Sequence, residues 1–413
     1  MSKFMDRAFS EGSWLTSGRV RAIAWLSGLA TVTALLFLFG TADGTLDRFG
    51  RPLGTDFSNV WTAGRMALDG RAAEAWSWNA HHTVQQATHG RADVPFYGWH
   101  YPPPFLLVAA ALATLPYLWA LAAYQAATLA AVALLARRIV PGPGTLPVIL
   151  GAPVVLVCLG HGHNGFLTAA LLGGGLAILE RRPLIAGLLL GCLVYKPQFA
   201  LLVPPLLLVG GHWRAIAGAA ASSGLLIAAT LAIWGWPVWQ AFIDWLPLTQ
   251  GVVIEAGATG WHKIASPFAA MRMWGGGIEA AYGVQATATV LAVVAALWIA
   301  RASTPALRGA AACAAALVAT PYVLDYDLVV LGVGAAFLFA DGRARGFLRW
   351  ERTGIALVWA APLFARQVAE ATLLPLGLAA VLTVLLLGLR RAAVLDGAFR
   401  SSPFRRSRAA SAP

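Results

Sequence analysis

Long apolar runs, separated by short gaps that are alternately basic and polar, dominate the chain. The first extends from Ala22 to Gly40, and others cover about 117–136, 145–160, 165–180, 214–234, 284–300, 309–323, 328–340, 354–370 and 372–389. A helix needs roughly 20 apolar residues to cross the hydrocarbon core of a bilayer. These runs have neither the alternation of a strand nor the narrow stripe of a soluble helix. The pattern predicts an all-α, polytopic membrane bundle of ten to twelve spans. Two stretches depart from it. Between the basic flanks Arg181-Arg182 and Arg214, the stretch 184–209 is interrupted by Lys196-Pro197, which predicts two short helices forming a hairpin with Lys196 at its apex. The stretch 103–115, closed by Pro116, is too short to span and is expected to lie in the interface or to begin a long tilted helix.

Composition excludes a soluble enzyme: 59% of residues are hydrophobic and 12% charged, against about 25% charged in soluble domains. The formal charge of +12 therefore concerns topology and membrane lipids, and no nucleic-acid partner is implied. Alternate gaps are basic: Arg137-Arg138, Arg181-Arg182, Arg214, Arg301 with Arg308, Arg343 to Arg352, and Arg390 onward. With those gaps and the N-terminus in the cytoplasm, 21 Lys and Arg and 6 Asp and Glu lie inside, against 9 and 12 outside. The first run then reads as an anchor, longer than a signal-peptide core and without a cleavage site, and both termini are cytoplasmic. Residues 1–395 are expected to form a single membrane domain, and 396–413 a basic, disordered cytoplasmic tail facing anionic lipid.

Two outer segments, 41–101 and 235–283, are long enough to carry structure. In the first, Phe57, Val60, Trp61, Gly64, Ala67 and Leu68 recur at helical spacing opposite Ser58, Asn59, Arg65 and Asp69. That spacing predicts a helix lying on the membrane surface. His81, His82 and His89 stand in a polar stretch and are expected on the surface. Cys158, Cys192 and Cys313 lie in apolar runs without metal or disulfide spacing and read as small core residues.

Ionisable groups at membrane depth cost ~2.5–3.5 kcal/mol or more each, so those near span ends mark what the bundle is built for. They are Asp56; His100-Tyr101-Pro102-Pro103-Pro104; His161-Gly162-His163-Asn164; Tyr195-Lys196-Pro197-Gln198; Trp261-His262-Lys263; and Asp325-Tyr326-Asp327. In the topology above all six face outward, as groups converging on one site would. Each has a structural alternative. Asp56 is equally placed to cap its helix or to act as a base. His161 and His163, two residues apart, do not share a helix face, and without a third ligand they read as hydrogen-bonding groups rather than a metal site. Lys196 needs an anion, either a ligand or a partner in Asp325 or Asp327. Lys263 and His262 have solvation in a long loop as their default. One aspartate of 325–327 is expected to cap the following helix, leaving the other for pairing.

Taken in order, Gly54-Thr55-Asp56-Phe57, Tyr101-Pro102-Pro103, the turn from Gly160 to Asn164, Lys196-Pro197, Trp261-His262-Lys263, and Pro321-Tyr322 leading to Asp325-Tyr326-Asp327-Leu328 resemble glycosyltransferase family 87, from about residue 20 to 390. The resemblance implies a GT-C fold, Asp56 as catalytic base in the first outer loop, and a cavity for a polyprenyl-phosphate sugar. The well-understood members transfer mannose and carry a histidine pair where this chain has Asp325-Tyr326-Asp327, and the usual glutamine of the turn is replaced, leaving His161 and His163 near Asn164. Substrate contacts are expected from Tyr101, His161, His163, Asn164, Lys196, Gln198, His262, Lys263, Asp325, Tyr326 and Asp327. The expected function is inverting transfer of a hexose, mannose-like by analogy, from a polyprenyl-phosphate donor to a lipid-linked or envelope glycan on the outer face of the cytoplasmic membrane, with no metal or cofactor. The alternative is a polytopic transporter or lipid flippase. Against it stand the lack of an internal repeat and the scarcity of charge at mid-span, where transporters place their sites.

Overall fold

A computed structural model describes residues 2–400, and over these residues the chain is helical, with isolated bridges in place of strands. Five helices are long and apolar enough to cross a membrane: Ser17–Gly40, Tyr117–Ile139, Trp213–Trp234, Ile278–Arg301 and Leu376–Val394. Shorter apolar helices, Gly165–Ile178, Pro183–Tyr195, Pro197–Val209 and Pro305–Val318, fill the space between them. The outermost long helices present bare apolar side chains, among them Trp25, Leu26, Leu36, Leu225, Val290 and Leu291, a surface that lipid covers and water does not. The chain is a polytopic membrane helical bundle.

Proline and glycine decide where apolar sequence breaks into short pieces. The expected run 145–160 is divided into Thr145–Leu150 and Pro153–His161, because Pro153 starts a new helix at its first turn. The 184–209 hairpin forms from Pro183–Gly191, a 3-10 turn Cys192–Tyr195 and the short helices Pro197–Ala200 and Val203–Val209, with Lys196 between them. The final helix, Leu376–Arg400, continues through the first five residues of the expected tail; 401–413 lie outside the described residues.

Close helix contacts use small residues, as they do where lipid removes the hydrophobic drive between helices. Helix Pro183–Gly191 lies against Trp213–Trp234 so tightly that a Cβ on Gly187 would stand 2.0 Å from the Ala215 carbonyl oxygen, and one on Gly191 would stand 2.3 Å from that of Ala219.

The outer-loop helix Thr55–Leu68 does not lie on a surface with its polar face in water. Ser58, Asn59 and Thr62 are buried, because the segment after it, with Trp76, the helix Trp78–His89 and Trp99, folds back over that face. His81 is fully buried and His89 nearly so. His89 hydrogen-bonds Thr45 and Ser58 at 2.8 and 2.9 Å, so these histidines are interior rather than surface groups. On its other side this helix meets the short helix Pro104–Leu112, where a Cβ on Gly64 would stand 2.0 Å from the Ala109 carbonyl oxygen. The stretch 103–115 thus braces the outer loop.

Polar side chains gather at both ends of the helix Val329–Arg345. Twelve residues separate Val329 from Asp341, about 18 Å at 1.5 Å per residue. At the Asp341 end, Asp341 bonds Thr304, Arg345 and Arg391, and Arg391 bonds Glu351 at 2.9 Å. Asp341, Glu351 and Arg391 are all buried. The basic gaps lie here, and the residues preceding Val329 form the opposite cluster.

Gly187→Ala is expected to lower the thermal unfolding midpoint of the detergent-solubilised protein, since overpacking costs ~1–3 kcal/mol. Gly224→Ala, on the same helix pair with open space around it, is expected to leave the midpoint unchanged.

Candidate active site

Three tight turns build the cluster that precedes Val329. Gly54, left-handed at φ 66°, is the N-cap of Thr55–Leu68, so Asp56 lies in the first turn and does not cap the helix. Gly162, left-handed at φ 62°, ends the helix Pro153–His161. These two glycines meet: a Cβ on Gly162 would stand 3.0 Å from the Gly54 Cα and 2.8 Å from the Phe57 Cβ. Gly165 makes a similar approach to the third turn, where a Cβ would stand 2.5 Å from the Tyr326 carbonyl oxygen. Glycine is what permits such backbone approach, and through it residues 54–57, 160–165 and 324–328 occupy one place.

Asp56 and His161 face each other there. The Asp56 carboxylate is 3.9 Å from His161 Nδ1, with 22% and 29% of the two side chains exposed. The same nitrogen shares a 2.8 Å hydrogen bond with the Thr55 hydroxyl. Burial raises the Asp56 pKa above the ordinary carboxylate value, and His161 and the Tyr326 hydroxyl offset part of that rise. His163 lies deeper. Its ring stacks on Tyr326 at 3.5 Å between centroids, its Nε2 hydrogen-bonds the Tyr101 hydroxyl at 3.2 Å, and Gln125 donates to its carbonyl at 3.1 Å. Burial, with Lys196 nearby, holds its pKa well below the ordinary range.

Lys196 takes the protein's own anion. Its Nζ donates to Asp327 at 2.6 Å and to Asn164 Oδ1 at 3.1 Å, and the pair is closed off, with 4% and 1% of the side chains exposed. The second Asp327 oxygen accepts the Leu324 N–H at 3.1 Å. Asp325 accepts from Arg366 at 2.6 Å. Both aspartates therefore hold cations, and Asp327 also caps its turn through the Leu324 N–H. Gln198 is half-buried on the short helix Pro197–Ala200.

The Trp261-His262-Lys263 turn reaches the cluster through backbone: Ala265 N–H donates to the Val323 carbonyl at 2.7 Å, and Ile264 bridges Leu324. A crevice of about 290 Å³, open space included, lies between this turn and helix Glu351–Thr372, lined among others by Trp261, His262, Lys263, Asp325, Ala365 and Leu378. His100, by contrast, points away, against Trp245 and Thr249.

Sequence reasoning missed Arg366. It sits near the end of an apolar run and bonds Asp325, and its Nη2 lies 3.4 Å from His161 Nε2. The signal was present: Arg366 and Glu370 are the charged residues between 354 and 372, and an intramembrane arginine calls for a function or a partner.

The cluster thus brings together a carboxylate of raised pKa, a histidine beside it, an aromatic pair and cations at one end of the bundle. Residues 99–324, slightly more than half of the chain, match glycosyltransferase family 87. The chain belongs to glycosyltransferase family 87. No curated protein and no solved structure matches it. This family 87 protein is a membrane glycosyltransferase; its matched segment holds Tyr101, the 160–164 turn, Lys196 and Trp261 to Lys263, while Asp56, Asp325 to Asp327 and Arg366 lie beyond it.

Lys196→Met leaves Asp327 buried without its cation, which costs ~3–5 kcal/mol. A sharp fall in the thermal unfolding midpoint is expected. Lys196→Met combined with Asp327→Leu is expected to recover part of the loss, and a double variant no more stable than the single one would contradict this account of the pair.

Proposed function

We propose that the protein transfers a sugar from a polyprenyl-phosphate donor to a hydroxyl of a glycan or glycolipid, at the outer face of the cytoplasmic membrane, with Asp56 as the base. The observation that carries this reading is the Asp56 carboxylate, partly exposed and raised in pKa, facing His161 within a cluster to which Tyr101, Lys196, the 324–328 turn and Arg366 also belong. The excess of basic residues in the gaps at the other end supports cytoplasmic termini and an outward site. No nucleotide sugar is present on that side, so the activated sugar arrives on a lipid.

In the reaction, Asp56 takes the proton of the acceptor hydroxyl as its oxygen bonds the anomeric carbon. The bond from that carbon to the phosphate oxygen breaks on the opposite face, its electron pair leaves with the phosphate, and the configuration inverts. Polyprenyl phosphate is released. His161 orients Asp56, and the faces of Tyr101 and Tyr326 suit a sugar ring. Lys196 and Asn164, through Asp327, hold the 324–328 turn in register, and His163 supports Tyr326. His262 and Lys263 flank the crevice by which a lipid headgroup enters. A hexose is favoured, mannose by family analogy.

In vesicles containing polyprenyl-phosphate mannose, Asp56→Asn is expected to reduce transfer by 10²-fold or more, the range a general base contributes; transfer at the wild-type rate would refute the assignment. Because the base works as the carboxylate and its pKa is raised, the acid limb of kcat/KM is expected above pH 3.8. That limb should be absent from the residual activity of Asp56→Asn.

A further inference from the structure

The donor reading requires a cation for the leaving phosphate, and Lys196, expected from sequence to meet either a ligand or an aspartate, is poorly placed to supply it. Its ammonium group is 4% exposed and already bonded to Asp327 and Asn164. Drawing it away would strand a buried carboxylate. Arg366 differs in each respect. It is 29% exposed, and Asp325 is its one carboxylate partner among the described residues. Its Nε is buried without a partner, so the guanidinium is not saturated. Its Nη2 reaches His161 on the side opposite the nitrogen that faces Asp56. Ala365 and Ala369 of its own helix, together with Asp325, line the crevice that His262 and Lys263 border, and the charge of Arg366 is felt at His262.

We infer that Arg366 is the phosphate-binding residue of the donor site, with Asp325 as the anion that occupies it when no donor is bound. The inference rests on the polyprenyl-phosphate reading above and names the residue that this reading lacks. A planar guanidinium offers two parallel N–H groups to a phosphate, which a point-charge lysine does not. In-line displacement requires base and leaving group on opposite faces of the anomeric carbon, and Asp56 and Arg366 flank His161 from its two ring nitrogens. A phosphate arriving at Arg366 takes the place of the Asp325 carboxylate, so donor binding breaks a 2.6 Å ion pair and makes another. The exchange keeps the arginine neutralised in both states, which an arginine near membrane depth requires.

The test is binding of farnesyl phosphate and of farnesol to the full-length protein in detergent, by isothermal titration. Wild type is expected to prefer the phosphate, and Asp56→Asn to share that preference while failing in transfer. Arg366→Gln is expected to weaken farnesyl phosphate binding at least tenfold without changing farnesol binding, and Arg366→Lys to fall between. Asp325→Asn, which removes the competing anion and keeps the arginine, is expected to tighten farnesyl phosphate binding; a merely structural ion pair would leave it unchanged or weaken it. Wild type binding farnesol as tightly as the phosphate would sink the donor reading itself. A phosphate preference that survives in Arg366→Gln, or a weakened one in Asp325→Asn, would overturn the assignment of Arg366 alone.

Discussion

The buried ion pair of Lys196 and Asp327 is the constraint from which the rest of the site follows. A lysine at a hairpin apex in apolar surroundings demands an anion, and the carboxylate it takes belongs to a turn 131 residues away. Once Asp327 is pinned, with its second oxygen on the Leu324 amide, Tyr326 is fixed against His163 and Asp325 is turned towards Arg366. The pair lends no exposed charge to a ligand; it sets the register of the three turns that do the work. Buried pairs of this kind add little net stability over an apolar packing but are costly to break on one side, which suits a positioning role.

Glycine complements that electrostatic pin. Gly54 and Gly162 bring two turns within contact of each other, and Gly165 admits the third. A Cβ at Gly54 would meet Leu121 at 2.8 Å, one at Gly162 would meet Phe57 at 2.8 Å, and one at Gly165 would meet the Tyr326 carbonyl at 2.5 Å. The outer loop is held from behind by a layer in which His89, Trp76 and Trp99 cover the polar face of the Asp56 helix. A catalytic carboxylate on a helix packed on both sides is better oriented than one on a free loop.

The bundle itself was readable from the apolar runs, since no other fold accommodates so much unbroken hydrophobic sequence, and the alternation of basic gaps already separated the two ends. The residues that converge were also readable as polar interruptions. Their pairings were readable only in part: Asp325 or Asp327 already stood as a possible partner of Lys196, and Asp327 is the one it takes, whereas Arg366 with Asp325 joins segments whose spacing carries no information about contact. Arg366 escaped notice because it lies inside a run whose average is apolar. The division of 145–160 came from Pro153, and the burial of His81 and His89 came from a layer folding back over Thr55–Leu68, a tertiary effect that composition does not disclose. Of the two aspartates, Asp327 caps its turn and pairs with Lys196 as well, while Asp325 pairs with Arg366 from another helix.

Of the three carboxylates of the cluster, Asp56 faces a histidine and, among the described residues, carries no cation, while Asp325 and Asp327 are both occupied by cations. Such a site suits a single direct displacement and does not offer a second carboxylate as nucleophile. The stereochemistry of the product tests this most directly. With an anomerically pure polyprenyl-phosphate sugar as donor, NMR of the purified product should show the inverted anomeric configuration; retention would mean a double or same-face displacement and would contradict Asp56 acting as the base of a single in-line attack.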